Sequence, residues 1–406
     1  MRGLIALAGA ASLVAAGSTA AASVPAFEYP ADGPICRGSE GYAADFGGRR
    51  TFLWRPVWLE AIAKDDAHSR SVVRQADEAL VRGPYSVADK PKLVPGASRN
   101  DYASIGPYWW PNPNSDDGLP YGRRDGEVNP ERDGPEFDKD RLRNLANDLE
   151  ALSVAYFITS DEKYADRAAK LLRVWFLDAD TMMAPHMDFA QGIPGKVKGR
   201  GEGIIEASDL STIAESIGLL APSPALSKRE HASLRQWYAD FATWMATSDN
   251  GEAEMRKSNN HGVFYDFYLA HFAIFAGLDS VALNIADNFL RFRLGVQMDK
   301  QGRFIRELKR TRSWHYSNYV VGGAARLATI AECTGRDLWN AELEDGRSLQ
   351  TSIAFLRRYS RDPQSWPFED RDHRAGNFDK MRSTFDRVDL LFAGAKAPSS
   401  GRITLP

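Results

Sequence analysis

The chain has 406 residues, of which 43% are hydrophobic and 26% are charged, and its formal net charge at pH 7 is -3. A chain of this length and balance can bury a sizeable core in one or two globular domains. The charge excludes a global basic field of the kind that binds nucleic acid, so any anion site must be a local cluster of arginine and lysine.

The first 22 residues have the pattern of a secretory signal peptide. Arg2 provides the basic start, residues 4–16 form a short apolar run, and small residues at 20–22 precede Ser23, where cleavage would occur. The apolar run is too short to span a bilayer, and no later stretch reaches about 20 apolar residues. We therefore expect an exported protein, periplasmic or secreted, with no membrane attachment once residues 1–22 are removed. A retained N-terminal anchor is the alternative.

Residues 23–50 are rich in glycine, proline and alanine, which predicts an extended N-terminal arm. The arm contains Cys36, and the only other cysteine is Cys333. Export would permit a disulfide between them, which would pin the arm to a late helix, but two free thiols fit the sequence equally well. Two cysteines make no metal site, and we predict neither a metal nor a cofactor.

Hydrophobic residues recur at helical spacing from about residue 52 to residue 360. Leu145, Leu149 and Leu152, for example, fall on one face of a helix. The pattern predicts helices near residues 55–64, 70–82, 138–159, 161–178, 208–220, 228–247, 262–277, 280–298, 318–334 and 346–360. No alternating run flanked by hairpin turns competes with them, so we expect an all-α fold with at most a few short strands in loops.

Short and long links alternate between the predicted helices. Short links fall at 159–161, 221–227 and 278–279, whereas long links cover 83–137, 179–207, 248–261 and 299–317. Helices joined by short turns run antiparallel, so all of the long links should emerge at one end of a ring of helical hairpins. Long loops are usually functional or disordered, and their aromatic and charged content favours function. We predict an (α/α) toroid over residues 51–362 and an irregular tail over residues 363–406.

Two of the long loops carry residues suited to sugar binding. Tyr108, Trp109 and Trp110 stand together and are followed by Arg123 and Arg124. Aromatic rings can stack on sugar rings, although a packed tryptophan and ion-paired arginines fit equally well. The second loop is rich in glycine and cations around Gln191, and its glycine spacing does not match a phosphate-binding loop.

Polar clusters precede two of the later predicted helices. The first is Asn259, Asn260 and His261, and the second contains Arg306, Arg310, Arg312, Trp314, His315 and Tyr316. One antiparallel helix lies between them, so both clusters should face the same end of the ring. A helix cap and a solvated charged face are the structural alternatives. An amide, an imidazole, guanidinium groups and a phenol, with no serine or cysteine nucleophile, suit an anionic sugar and transfer of one proton from carbon.

At these residues the chain resembles the alginate lyase superfamily of polysaccharide lyases, whose members fold as (α/α) toroids. The matching segments are 108–111, 123–130, 190–195, 259–262 and 307–319, within roughly residues 85–340. The resemblance implies an enzyme whose partner is an anionic polysaccharide, a polyuronate such as poly-mannuronate alginate or glucuronan. It implies β-elimination as the reaction.

The resemblance also implies roles for four residues. Asn260 and His261 match the amide and the imidazole that neutralise the substrate carboxylate, Arg310 matches the arginine beside them, and Tyr316 matches the catalytic tyrosine. A phenol with an ordinary pKa of about 10 is a poor base, so Tyr316 would need nearby cations to lower that pKa. His261 as the base, with Tyr316 only as the acid, is the alternative.

The spacing from Arg310 to Tyr316 is one residue shorter than in better-known members of the superfamily. Arg306 or Arg312 therefore stays open for the arginine, and Tyr319 for the tyrosine. Two other functions also stay open: a glycoside hydrolase on the same toroid, using two loop carboxylates, and a glycan-binding protein without catalysis. The sequence does not decide the oligomeric state.

Overall fold

The computed structural model describes residue 27 and residues 33–392. The predicted signal peptide, residues 1–22, lies outside the described residues. Across the described part of the chain, no helix is long and apolar enough to cross a membrane.

Residues 33–392 form thirteen α-helices, and all ten predicted helices are among them. Their bounds are α1 Pro56–Lys64, α2 Asp66–Ala79, α3 Lys139–Thr159, α4 Glu162–Leu172, α5 Ser208–Leu219, α6 Lys228–Thr247, α7 Asp249–Met255, α8 Asn260–Ala276, α9 Asp279–Phe289, α10 Ser313–Cys333, α11 Leu349–Arg361, α12 Arg371–Arg374 and α13 Phe378–Phe392. Helices α4 and α9 each continue into one turn of π-helix, at Arg173–Leu177 and Leu290–Leu294.

The helices pack as hairpins around a ring, which is the predicted (α/α) toroid. Helix α3 packs against α2, α4 and α5, and helix α8 packs against α6, α9 and α10. Helix α8 is buried on nearly every face, since its neighbours surround it and its sequence is apolar all round. The long helices α8 and α10 therefore form inner walls of the ring.

Two of the helices that begin earlier than the sequence pattern predicted matter for the site. Helix α8 begins at Asn260 rather than near residue 262, and helix α10 begins at Ser313 rather than near residue 318. His261 and Tyr316 therefore lie within the first turns of these helices, not before them. The N-terminus of a helix carries partial positive charge, which favours a bound anion.

Four short strands tie the long loops together within the described residues: β1 Ala103–Ile105, β2 Trp109–Trp110, β3 Gly122–Arg123 and β4 Phe189–Gly192. Strands β1 and β4 pair in parallel, with Ala103 opposite Phe189. Strands β2 and β3 pair antiparallel, with Trp109 opposite Arg123. These pairings bring the aromatic loop and the glycine-rich loop to the same end of the ring.

Cys36 and Cys333 form a disulfide, with their Cα atoms 4.4 Å apart. This decides between the two alternatives that the sequence left open. The bond joins the N-terminal arm to the last residue of α10, across 297 positions of sequence.

The prediction of an irregular tail over residues 363–406 is wrong for part of that range. Residues 378–392 form α13, which packs against α10 and α11. Met381, Phe385 and Val388 are buried along one face of this helix. The same spacing is visible in the sequence, but the surrounding charged residues masked it. Residues 393–406 lie outside the described residues.

Candidate active site

A cleft of about 490 Å³ opens among the long loops, above the first turns of α8 and α10. Ten of the predicted site residues line it: Tyr108, Trp109, Arg123, Gln191, Asn259, Asn260, His261, Arg310, His315 and Tyr316. Residues that are far apart in the sequence thus meet at one end of the ring, as the alternation of links predicted.

Tyr316 lies at the centre of this cleft and is largely buried. Its hydroxyl is 2.7 Å from the hydroxyl of Tyr108, and the guanidinium of Arg310 lies 3.7 Å from the centre of its ring. Burial raises the pKa of Tyr316 above its ordinary value, Tyr108 raises it further, and Arg310 lowers it only in part. The expectation that neighbouring cations would lower this pKa overall is therefore wrong for the unliganded protein.

His261 is held by a buried carboxylate from α7. Its Nδ1 lies 2.5 Å from Oε1 of Glu254, a residue with no exposed surface. When Nδ1–H donates to that carboxylate, Nε2 is left available to a ligand in the cleft. Glu254 was not among the predicted site residues, because nothing in the sequence connects it with the histidine seven positions later.

Asn260 and Glu307 join the two polar clusters. The backbone N–H of Asn260 donates to Oε1 of Glu307 at 2.7 Å, and its side-chain Nδ2 lies 3.0 Å from each carboxylate oxygen. Burial raises the pKa of Glu307, while the hydrogen bonds from Asn260 oppose that rise. The amide nitrogen of Asn260 is therefore already bonded to the protein in the unliganded cleft.

Arg310 is tied to the aromatic loop through Asp125. Its Nη2 donates to Oδ1 of Asp125 at 3.2 Å, and Arg123 donates to the same oxygen at 2.7 Å. The Nε atom of Arg310 is buried without a hydrogen-bond partner among the described residues. The guanidinium thus keeps donor capacity for a ligand beside Tyr316.

Five predicted binding residues lie outside the lining of the cleft. Arg306 is exposed, Arg312 pairs with Asp372 at 3.2 Å, Trp110 and Arg124 stack on each other at 5.1 Å, and Trp314 is buried. Trp314 is a core residue rather than a binding residue, since its ring packs against Trp366 and its Nε1–H donates to the carbonyl of Met381. It was misassigned because the tail that covers it was expected to be irregular.

His315 lines the cleft but is not a cation at neutral pH. Burial and the nearby charge of Arg312 lower its pKa to about 4. It therefore supplies no positive charge that could lower the pKa of Tyr316 at neutral pH.

Five cations that line the cleft were not among the predicted site residues: Arg132, Lys139, Arg143, Arg200 and Lys257. Arg200 orients a predicted residue, because it donates to the side-chain and backbone oxygens of Gln191 at 2.8 and 3.0 Å. Gln191 has a left-handed backbone conformation, with φ of +47°. Glu202 and Glu206 are the acidic residues in the lining, which therefore holds more cations than carboxylates.

The alginate lyase family model matches residues 86–366, which is more than half of the chain. The chain belongs to the alginate lyase family. A crystal structure of an alginate lyase from Bacteroides ovatus is similar over 88% of this chain and 98% of that one, with 32% identity and a TM-score of 0.80. Membership of the family and the described fold make this protein a polysaccharide lyase on an (α/α) toroid, as predicted.

More distant alginate lyases also resemble the chain. The A1-III enzyme from Sphingomonas species A1 matches with 17% identity and a TM-score of 0.47, over 86% of each chain. A variant of A1-III complexed with a tetrasaccharide matches with 16% identity and a TM-score of 0.49, over 80% of this chain and 83% of that one. A comparison with curated protein sequences found no match.

Proposed function

We propose that this lyase cleaves a β-1,4-linked polyuronate, poly-mannuronate alginate or glucuronan, by β-elimination. The observation that carries the proposal is that His261, Arg310 and Tyr316 meet in one cation-rich cleft. An imidazole and a guanidinium can bind a carboxylate, and a phenol beside them can move a proton.

The charge of the cleft favours a polymer with a carboxylate on every sugar. Its lining holds seven arginine and lysine side chains, namely Arg123, Arg132, Lys139, Arg143, Arg200, Lys257 and Arg310, against two glutamates. A cleft lined by one sign of charge raises the local concentration of an oppositely charged ligand. Tyr108 and Trp109 at the same cleft offer flat rings for the apolar faces of sugars.

Neutralisation of the carboxylate is the first task in this reaction. The C5 proton is weakly acidic because it lies beside the carboxylate, and full negative charge on that group opposes its removal. We assign the binding of the carboxylate, and stabilisation of the enolate that develops from it, to His261 and Arg310. Asn260 anchors the first turn of α8 to Glu307, and it can bind the carboxylate directly only if its amide leaves that partner.

Tyr316 is assigned the proton transfer. Its raised pKa keeps the phenol protonated before substrate binds, which suits donation of a proton to the leaving O4. To act also as the base at C5, it must first lose that proton, and the Tyr108 hydroxyl at 2.7 Å offers a path. One residue can serve both steps in mannuronate and glucuronate, where the C5 proton and O4 lie on the same face.

His261 is the second candidate for the base. The contact with Glu254 occupies Nδ1, and Nε2 has no hydrogen-bond partner among residues 33–392, the arrangement that a histidine base requires. Tyr316 would then act only as the acid. The Tyr316 assignment predicts a distinct pH dependence, because a phenol base with a raised pKa gives a rate that keeps rising above neutral pH.

The proposal is tested by incubating the protein with poly-mannuronate, poly-guluronate, glucuronan and a neutral glucan, while ultraviolet absorbance follows formation of unsaturated uronate. We expect activity on poly-mannuronate or glucuronan and little on poly-guluronate, whose C5 proton lies on the other face. Products without a new double bond would indicate hydrolysis, and binding without turnover would indicate a glycan-binding protein. We further propose export, on the pattern of residues 1–22, which comparison of the mature N-terminus with the encoded one would test.

A further inference from the structure

A second cavity of about 440 Å³, here called the inner cavity, lies between α5, α8, α10 and α13. It shares three lining residues with the cleft, namely Ser208, His315 and Tyr319. The two spaces are therefore neighbours on either side of the Tyr319 ring. Helix α13, which the sequence did not predict, supplies one wall of this inner cavity through Thr384, Arg387 and Val388.

Arg326 brings a positive charge into this inner cavity. Ten positions separate it from Tyr316 (316 to 326), which corresponds to about 15 Å along α10. The groups that act on it electrostatically are the phenols of Tyr268 and Tyr319 and the guanidinium of Arg387. Among residues 33–392, no carboxylate forms an ion pair with Arg326 or with Arg387.

A guanidinium in this position calls for an anion. Burial lowers the pKa of Arg326, but an arginine remains charged at any ordinary pH. Arg326 is partly buried, and a charge that has lost part of its hydration is normally paired, because that loss is costly. A carboxylate that entered the cavity would supply the missing counter-charge.

The other walls are suited to a sugar ring. Phe264 and Tyr319 stack on each other at 4.2 Å and both line the cavity, together with Tyr268 and Phe267. Thr212 and Thr384 add hydroxyl groups. The volume falls within the range of small-molecule sites, and one acidic residue in the lining, Asp209, is already paired with Lys139 at 2.6 Å.

We propose that the inner cavity binds a second uronate residue of the polysaccharide, with Arg326 as the counter-ion of its carboxylate. The identity of the ligand rests on the proposed function, whereas binding of a sugar carboxylate at Arg326 stands without it. Arg326 is then a specificity residue, since a neutral sugar in the cavity would leave its charge unpaired.

The binding test uses the Tyr316→Phe protein, which prevents turnover, and isothermal titration with sodium D-glucuronate. Adding Arg326→Gln should remove one binding event or weaken it at least about tenfold, the usual effect of losing a charge-assisted contact. Adding Arg310→Gln instead should leave that event in place, because Arg310 serves the outer cleft. The exposed Arg291 provides the matched control, Arg291→Gln. D-glucose should bind none of these proteins measurably.

A second variant, Gly322→Val, keeps the charge of Arg326 but narrows the inner cavity beside it. A Cβ atom at Gly322 would lie 3.3 Å from Nη1 of Arg326 and 3.6 Å from Val388, so Gly322→Val should also weaken glucuronate binding. This variant decides the question if Arg326→Gln fails to fold. Glucuronate affinity and stoichiometry unchanged in a folded Arg326→Gln or Gly322→Val protein would overturn the proposal.

Kinetics on the active polyuronate separate this proposal from the proposed function. Arg326→Gln should raise KM about tenfold with a small change in kcat, while Arg291→Gln matches the wild type. If no polyuronate yields unsaturated product but glucuronate binding still depends on Arg326, the site at Arg326 is supported and the proposed polyuronate substrate is wrong. If product forms and Arg326→Gln matches the wild type in KM and binding, the inner site alone is wrong.

Discussion

The hydroxyl oxygens of Tyr108 and Tyr316 lie 2.7 Å apart, although 208 positions separate the two residues in the sequence. The contact joins the aromatic loop to the first turn of α10. Two neighbours act on the phenol of Tyr316 in opposite directions: Tyr108 raises its pKa and Arg310 lowers it. Replacing Tyr108 and replacing Arg310 should therefore shift the rate–pH profile of the proposed proton transfer in opposite directions.

Replacing Tyr316 with phenylalanine should reduce formation of unsaturated product by at least about 1000-fold, the scale of losing a general acid or base. Polysaccharide binding should change little, because the ring stays in place beside Arg310. Ultraviolet absorbance measures the first quantity, and calorimetric titration with polymer the second. Near-normal turnover would move the role to His261 or Tyr319, and the parallel variant Tyr319→Phe would identify which.

Replacing Tyr108 with phenylalanine should move the rising part of the rate–pH profile toward lower pH. Tyr108 raises the pKa of Tyr316 through its charge and its hydrogen bond, so its removal lets that pKa fall. We expect kcat at neutral pH to change by no more than about tenfold, because orientation is lost while the phenolate becomes easier to form. A profile that keeps its position would mean that Tyr316 does not titrate in the rate-determining step.

Replacing Arg310 with glutamine should move the same profile toward higher pH, because the cation that lowers the pKa of Tyr316 is lost. The value of kcat/KM should fall by about 100-fold or more, as when one donor to a developing oxyanion is removed. Arg306→Gln is the control, since Arg306 is exposed outside the cleft. If Arg306→Gln or Arg312→Gln caused the large loss instead, the arginine would be misassigned.

The helices and the end of the ring at which the site lies could be predicted, because both depend on local signals. Apolar spacing marks α3 and α9, and the lengths of the links indicate which helix ends lie together. The predicted start of α10 was too late. In the sequence, its first turn, which includes Ser313 and Trp314, has the polar pattern of a loop. Only the structure shows that α13 and Trp366 cover this turn.

The partners of the predicted residues could not be found from the sequence. Asn260 meets Glu307 47 positions away, and Arg200 meets Gln191 only because the backbone of Gln191 turns into the left-handed region. Such contacts depend on how the loops fold over the ring, which apolar spacing does not record. The same is true of Arg326, which lies within the predicted helix near residues 318–334 but was not among the predicted site residues.

Replacing Glu307 with glutamine tests whether Glu307 contributes to activity by holding Asn260 in position. Asn260 offers its backbone N–H and its amide to both oxygens of Glu307, and glutamine retains only one acceptor. We expect kcat to fall about tenfold and the free energy of unfolding to fall by about 1–3 kcal/mol, the cost of an unsatisfied buried donor. Glu369→Gln, at an exposed ion pair with Arg374, should change neither. Full activity in the Glu307 variant would show that Asn260 needs no such anchor.

His315 should make the folded protein less stable in mild acid. Its pKa is lowered to about 4 in the folded state, whereas an unfolded histidine has an ordinary pKa of about 6.5. Between these values the unfolded chain binds a proton that the folded protein does not, so this contribution to stability is complete above about pH 6.5 and is lost as pH falls toward 4. Because His315 is partly exposed, we expect a loss of about 2 kcal/mol. Urea unfolding at pH 7 and pH 4.5 measures it, and His315→Gln should lose correspondingly less stability between the two. An equal loss in both proteins would mean that His315 accepts its proton without unfolding, and that the cleft admits solvent to its ring.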